Sequence, residues 1–320
     1  MNSILEEISL LGIVPVIALD NVEDALPLAK ALYDGGLPCA EVTFRTAAAE
    51  ESIRIMTEAY PDMLVGAGTV LTTDQVDRAI NAGARFIVSP GLNPKVVAYC
   101  IEHNIPVTPG CSTPSDIEQA IELGLEVVKF FPAEASGGLA SIKAMAAPYG
   151  NMKFMPTGGI SPKNLNEYLG FNKIIACGGS WMVSKELLAE KDFDSIQKLT
   201  KEAVLLLLGF ELKHVGINAE NETEALSIAS TFEKMFNFTK NIGNSSIFAG
   251  SGVEVLKSPF LGKNGHIAIQ TNSAKRAVYH LSKQGVVFDM DTARYDNSGT
   301  LRTVYFRDEV GGFALHLLQK

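Results

Sequence analysis

Up to about residue 209, short apolar β-rich runs recur along the chain every ~20–25 residues, with helix-period pattern between them. Eight runs are predicted as strands: Ile13–Leu19, Ala40–Phe44, Leu64–Gly68, Phe86–Ser89, Pro106–Thr108, Glu126–Phe130, Lys153–Pro156 and Lys173–Cys177. Most are nearly continuous in apolar residues, which is how strands buried on both faces read. The stretches between them carry helix signals. Thr73–Ala82 opens with Thr-Asp and stops at Gly83, and Ser115–Leu123 opens after Pro114 and stops at Gly124. Eight β-α units in about 200 residues predict a compact α/β fold, a (β/α)8 TIM barrel. A doubly wound open sheet has the same alternation, and pattern alone does not establish closure.

A helix over Phe193–Leu208 closes this unit, Gly209 ends it, and the pattern changes. From Leu212 onward the chain repeats itself. The segment "KHVGINAENETEALSIASTFEKMFNF" echoes "GHIAIQTNSAKRAVYHLSKQGVVF", each a strand with histidine at its second position and then a helix. Strand pairs follow, ending in "GVEVL" and "FALHLL". Two βαβββ modules of this kind predict an α+β domain of about 110 residues. The predicted organisation is a barrel over residues 1–209 and a two-module domain over 210–320.

Composition narrows the partners. Hydrophobic residues make up 47% of the 320 positions and charged residues 20%, enough apolar material for a large core. The formal net charge is −9, so the surface repels phosphate backbones and nucleic acid is not an expected partner. An anionic substrate must therefore meet locally placed cations and backbone N–H groups. Cys39, Cys100, Cys111 and Cys177 form no C-x-x-C pair and no disulfide framework, which reads as reduced thiols in a cytoplasm. Glu6 and Glu7 precede the first basic side chain, Lys30, unlike the basic start of a secretory signal. The apolar runs Leu10–Leu19 and Val204–Leu208 are too short to span a bilayer, so no membrane partner is expected.

In a barrel, functional side chains sit at the C-terminal ends of the strands. Lys129 lies there inside an apolar strand, between Val128 and Phe130. Burial disfavours its ammonium, and a lysine that keeps some free amine can attack a ketone to form a Schiff base. The plain alternative is a strand-end lysine that reaches solvent or pairs with a carboxylate. Glu41, between Ala40 and Val42, offers a proton shuttle, or else an ion pair with Arg45 or Lys129. Arg45 carries a planar fork suited to a carboxylate, or to a surface salt bridge. "TGGI" at Thr157–Ile160 and "GGS" at Gly178–Ser180 follow strands 7 and 8. Glycines there let backbone N–H groups approach an anion, with a helix N-terminus expected behind each pair. "GAG" at Gly66–Gly68 lacks the third glycine of a dinucleotide fingerprint.

The ordered phrases "PVI", "EVTFRT", "VGAGTVLT", "SPGLNP", "PGCSTPSD", "KFFPAEASGG", "PTGGISPKN" and "GGSWMV" span about Gly12 to Leu208. They closely resemble the 2-keto-3-deoxy-6-phosphogluconate / 4-hydroxy-2-oxoglutarate aldolase family. The resemblance implies a metal-free class I aldolase, a homotrimer that cleaves small 2-keto-4-hydroxy acids to pyruvate and an aldehyde. It implies Lys129 as the Schiff-base lysine and Glu41 as the proton shuttle. It puts Arg45 and Thr69 at the pyruvate carboxylate, and Gly158, Gly159, Gly179 and Ser180 around a phosphate. It has Pro90, Phe131 and Thr157 line the pocket.

The second domain is similar to the vicinal-oxygen-chelate (glyoxalase and bleomycin-resistance) superfamily, and "VYFRDEVGGFALHLL" resembles that family's final hairpin. This resemblance implies a divalent metal held by His214, Glu254, His266 and His316, a nitrogen-rich set suited to zinc, nickel or iron. The last position departs from the usual glutamate. A metal-free relative used for binding or assembly is the alternative. His103 and His280 read as surface or packing residues. Three readings follow: an aldolase with an accessory domain, a bifunctional enzyme with separate metal chemistry, and a non-catalytic sugar-phosphate binder, against which the intact Lys129 and Glu41 argue.

Overall fold

Eight parallel strands build the first part of the chain: β1 (Ile13–Ile17), β2 (Cys39–Thr43), β3 (Leu64–Gly68), β4 (Ile87–Ser89), β5 (Val107–Cys111), β6 (Val127–Phe130), β7 (Lys153–Pro156) and β8 (Cys177–Gly179). This computed structural model describes residues 1–320, which divide into two units, Met1–Leu207 and Leu208–Lys320. In the first unit the strands run in the order β7-β6-β5-β4-β3-β2-β1-β8. Bridges Phe154↔Ile174 and Thr157↔Gly178 bring β7 back against the β8 segment, so the sheet curls into a nearly closed TIM-like barrel. Every residue of β2, β3, β5 and β6 is buried, which explains the unbroken apolar runs.

Glu41 pairs with Gly66 and Lys129 with Gly110. Room for the carboxylate comes from Gly68, where a Cβ would lie 2.3 Å from Glu41 Oε1, while Gly66 gives way to the Phe86 ring and Gly110 to the Pro90 carbonyl. The helices begin where local chemistry starts them. Thr72 caps Thr73–Asn81 by accepting from the Gln75 N–H. Thr113 and Asp116 form a reciprocal capping box ahead of Pro114–Glu122, with proline at the first helical position.

Strand 8 differs from expectation. The sequence places it at Lys173–Cys177 with the glycines in the following loop, whereas the strand is Cys177–Gly179 and Ile174 makes only an isolated bridge. A Cβ on Gly178 would lie 2.3 Å from Thr157 Oγ1, and one on Gly179 2.0 Å from the Trp181 ring. These glycines permit close packing within the strand and do not end it. Strand 5 likewise runs through Pro109 and Gly110 to Cys111, residues that read as breakers.

The second unit is one eight-stranded sheet of β9 (Glu211–Asn218), β10 (Lys240–Ile242), β11 (Ser246–Ala249), β12 (Val253–Leu256), β13 (Gly265–Thr271), β14 (Phe288–Tyr295), β15 (Leu301–Phe306) and β16 (Phe313–Gln319). Helices Glu222–Phe236 and Ala274–Lys283 follow β9 and β13, so each half is a βαβββ module. The order β10-β11-β12-β9-β13-β16-β15-β14 is symmetric about the antiparallel β9–β13 seam. Pairings Ala268↔His214 and His266↔Gly216 make His214 and His266 equivalent under that symmetry. Glu254 pairs with Gly216 and His316 with Ala268, so these two are equivalent as well. Strand alternation puts all four on one face, while Ile247 and Val255 pack from the other face into a core with Ala219, Ala225 and Ala229. No helix of either unit is long and apolar enough to cross a membrane.

Candidate active site

Period-two alternation along β2 aims Glu41 and Thr43 to one side, Arg45 follows in the turn just past the strand, and β6 aims Lys129 at the same axis. Lys129 Nζ donates to Glu41 Oε1 at 3.4 Å, with the two side chains 6% and 1% exposed. Glu41 Oε2 has no hydrogen-bond partner. The lysine ammonium also lies 5.1 Å from the centroid of the Phe131 ring, within cation–π range. Of the two partners open to Glu41 in the sequence, Arg45 and Lys129, the carboxylate meets the lysine. Arg45 Nε donates to Thr43 Oγ1 at 3.0 Å, and Thr43 Oγ1 donates to the Ile17 carbonyl at 2.8 Å. The Thr43 hydroxyl thus fixes the guanidinium at the mouth of the site.

A cavity of about 340 Å³ opens at the C-terminal ends of the strands. Glu41, Arg45, Thr69, Pro90, Lys129, Phe131, Thr157, Gly158, Gly159, Gly179 and Ser180 all line it. Ile160 and Gly178, from the same two glycine phrases, line it too, as do Val16 and Thr43, which were not singled out from sequence; the i, i+2 spacing from Glu41 is the signal that finds Thr43. Thr69 holds a left-handed backbone, φ 55°, costly for a β-branched residue. Gly158 and Gly159 take φ values of 99° and 81°, so "TGGI" is a glycine-dependent turn. Asn164 ties that turn: its Nδ2 donates to the Gly159 carbonyl at 3.1 Å and its Oδ1 accepts from Ser161 N at 2.8 Å. The helices expected directly behind the two glycine pairs are not there. The first begins only at Leu165 and has five residues, and a single 3-10 turn, Trp181–Val183, follows Ser180. Gly158, Gly159, Gly179 and Ser180 therefore line the cavity with no long helix directly behind them.

A buried amine beside a buried carboxylate, in a cavity rimmed by a guanidinium, suits carbonyl chemistry on a small anionic substrate. The KDPG and KHG aldolase family model matches residues 4–199. The chain belongs to that family. It is 51% identical over 203 residues to a 2-dehydro-3-deoxy-phosphogluconate aldolase of Haemophilus influenzae, covering 63% of this chain and 96% of that one. It is 47% identical over 207 residues to the enzyme of the same name from Treponema pallidum, covering 65% and 99%. Among solved structures it is similar to a KDPG aldolase of Legionella pneumophila with pyruvate captured as a covalent carbinolamine, at 37% identity and TM-score 0.60, over 62% of this chain and 97% of that one.

Beyond the aldolase barrel, a second polar cluster lies on the open face of the two-module sheet. His214 Nε2 and His266 Nε2 are 3.0 Å apart, and each is 3.1 Å from Glu254 Oε2. His316 joins them, one nitrogen of each histidine lying within 4.8 Å of the others. His316 Nδ1 is engaged by Thr303 Oγ1 at 3.1 Å, while its Nε2 is buried without a partner. Burial pushes the Glu254 carboxyl up, but hydrogen bonds from His214, His266 and Ser246 outweigh it and hold it well below the usual range. Burial, with His266 and His214 close by, pushes His316 down to about 4. Tyr305 stacks on His316 at 4.7 Å between centroids. His103 is a helix C-cap whose Nδ1 meets the Tyr99 carbonyl at 2.8 Å, and His280 is buried on its helix against Tyr279.

Proposed function

We propose that the barrel is a class I aldolase that cleaves 2-keto-3-deoxy-6-phosphogluconate to pyruvate and glyceraldehyde 3-phosphate, and 4-hydroxy-2-oxoglutarate to pyruvate and glyoxylate. The observation that carries this reading is the Lys129–Glu41 pair, an amine and a carboxylate 3.4 Å apart inside the cavity. In the reaction Glu41 receives the lysine's proton, the amine adds to the C2 ketone, and Glu41 returns that proton to the departing hydroxyl. Loss of water gives an iminium, an electron sink that needs no metal. Glu41 takes the C4 hydroxyl proton, the C3–C4 bond breaks, and its electrons enter the iminium to give an enamine. The aldehyde leaves, the enamine is protonated at C3, and water releases pyruvate from Lys129.

In this reading Arg45 and Thr69 hold the pyruvate carboxylate, and Gly158, Gly159, Gly179 and Ser180 the phosphate. Pro90, Phe131 and Thr157 wall the pocket. The carbinolamine trapped on a 37% identical relative supports the lysine mechanism. The assembly we propose is a homotrimer, as the family resemblance implies, in a cytoplasm, as the unpaired cysteine pattern of the sequence suggests. Incubation with pyruvate and borohydride, followed by peptide mass spectrometry, tests the assignment. The expected result is an adduct on Lys129 and complete loss of turnover in Lys129→Ala. Near-normal activity in that variant sinks it.

A second reading concerns residues 210–320, which we propose form a vicinal-oxygen-chelate-like, metal-binding domain. Hydrogen bonding alone cannot satisfy its cluster. Glu254 Oε2 only accepts, so His214 and His266 must each turn an Nε2–H toward it, and those two donors then face each other at 3.0 Å. If one histidine instead donates to the other, the acceptor's lone pair faces the carboxylate's. A divalent cation takes the lone pairs of all three, and the unpartnered His316 Nε2 supplies a fourth. When bound, such an ion supplies Lewis acidity; His214, His266, His316 and Glu254 hold it, and Thr303 orients the His316 ring. Metal analysis of untagged full-length protein, purified without chelator, is expected to find close to one ion per chain. Metal-free protein that gains none on dialysis against zinc, nickel or ferrous ion refutes the domain reading and leaves the aldolase reading intact.

A further inference from the structure

The Thr157–Ile160 turn poses a mechanical problem. Two successive glycines with left-handed backbones have more freedom to lose than any other pair, so an unbraced turn would not hold its N–H groups in one geometry. Asn164 ties its far end, and a second brace comes from the loop after β6. Ala133 N donates to the Thr157 carbonyl at 2.8 Å and Glu134 N to the Gly158 carbonyl at 3.1 Å. The Glu134 methylenes then cover Gly159, where a Cβ would lie 2.5 Å from Glu134 Cγ and 2.7 Å from its Cβ. The Glu134 carboxylate is held in turn by the Tyr168 hydroxyl, on the short helix that follows the turn. Tyr168 is 1% exposed, and burial together with this bond raises its hydroxyl far above the ordinary phenol. Tyr168 therefore stays a donor throughout the working pH range. The loop that carries Glu134 also carries Phe131, which lines the cavity, and it continues the strand that carries Lys129.

Glu134 and Tyr168 do not line the cavity, so their route to a bound substrate runs through the turn. We propose that the Glu134–Tyr168 pair is a positioning device that locks the Gly158–Gly159 turn and thereby sets the preference for a phosphorylated over an unphosphorylated substrate. This rests on the reading that Gly158 and Gly159 receive the phosphate. The pair acts on the end of the substrate remote from Lys129, so its loss changes binding of that end and leaves the chemistry at C2 to C4 alone.

The test compares wild type, Tyr168→Phe, Glu134→Ala and Glu134→Gln on 2-keto-3-deoxy-6-phosphogluconate and on 4-hydroxy-2-oxoglutarate. Inorganic phosphate serves as a competitive probe of the turn. Tyr168→Phe keeps the buried ring and removes only the hydroxyl, which guards against simple misfolding. In Tyr168→Phe and Glu134→Ala, KM for the phosphorylated substrate and the inhibition constant for phosphate rise on the order of tenfold, the worth of one well-placed hydrogen bond. Their kcat stays within about twofold, and the constants for 4-hydroxy-2-oxoglutarate do not move. Glu134→Gln, which keeps an acceptor for Tyr168, retains wild-type constants. Equal losses on both substrates, or unchanged KM in both deletion variants, overturn the positioning role while the phosphate reading stands. A wild type with equal KM for both substrates and no inhibition by phosphate overturns the phosphate reading and the proposal together.

Discussion

In the proposed reaction Lys129 and Glu41 work as a pair because they meet, both buried, at the base of one cavity. Glu41→Gln keeps the shape of the side chain and removes the base. In that variant the amine can still condense with pyruvate, so borohydride still traps an adduct on Lys129. Cleavage, which needs a proton taken from the C4 hydroxyl, falls by about 10²–10⁴-fold. Adduct yield and kcat measured on the same preparation check this, and parallel loss of both is the contrary result. That these two residues stand out was legible in the sequence, since a lone charged residue within an apolar strand is conspicuous; their roles came from the family phrases around them. Thr43 was not, because a threonine beside a strand end carries no signal until the alternation with Glu41 is followed. The left-handed backbone of Thr69 was not legible either: β-branched residues favour strands, and nothing local announces a φ of 55°.

At the scale of elements, β3 and β7 were read to the residue, and β1, β2, β4 and β6 to within two residues at each end. The larger misreadings hold glycine or proline inside the strand: Gly178 and Gly179 in β8, Pro109 and Gly110 in β5. Propensity treats these as breakers, while a tightly curled barrel uses them where neighbouring side chains crowd the axis. The two-module repeat was legible because both copies keep the order of elements, and the sheet order repeats it about the β9–β13 seam. Helix starts give the testable case. Asp116 accepts from the Ser112 and Thr113 N–H groups at 2.9 Å each, and Thr113 Oγ1 accepts from Asp116 N at 3.3 Å. Burial pushes the Asp116 carboxyl up, but these bonds outweigh it and hold it below its ordinary value. A carboxylate depressed on folding contributes stability that is present above its unfolded pKa and lost as pH falls through its folded one. Thr113→Ala is therefore expected to cost about 1 kcal/mol in urea unfolding at pH 7. The deficit of Asp116→Asn relative to wild type is expected to shrink as pH falls below about 4, the ordinary aspartate value; a deficit independent of pH would contradict the capping-box account.

For the whole molecule, the chain offers a built-in way to watch one unit at a time. All four cysteines, Cys39, Cys100, Cys111 and Cys177, are buried and none forms a disulfide, and all lie in the first unit, as does the lone tryptophan, Trp181. Burial raises Cys100 to about 11 and Cys111 to about 12, and pushes Cys39 higher still. Thiolate is the reactive form, so a native chain at pH 8 is expected to ignore an aromatic disulfide reagent. Unfolding the barrel releases four equivalents, and its tryptophan fluorescence changes with them. The two-module unit contributes neither probe, but it contributes strand and helix signal in the far ultraviolet. Because each unit buries its own core, we expect denaturant titration to show two circular-dichroism transitions, only one of which coincides with thiol release. Addition of a divalent ion should move the silent transition upward and leave the thiol transition where it is, since a ligand stabilises only the unit that binds it. A single transition common to all probes would mean that the units unfold as one body. A metal-induced shift of the thiol transition, with the silent one unmoved, would put the ion in the barrel instead of on the histidine face.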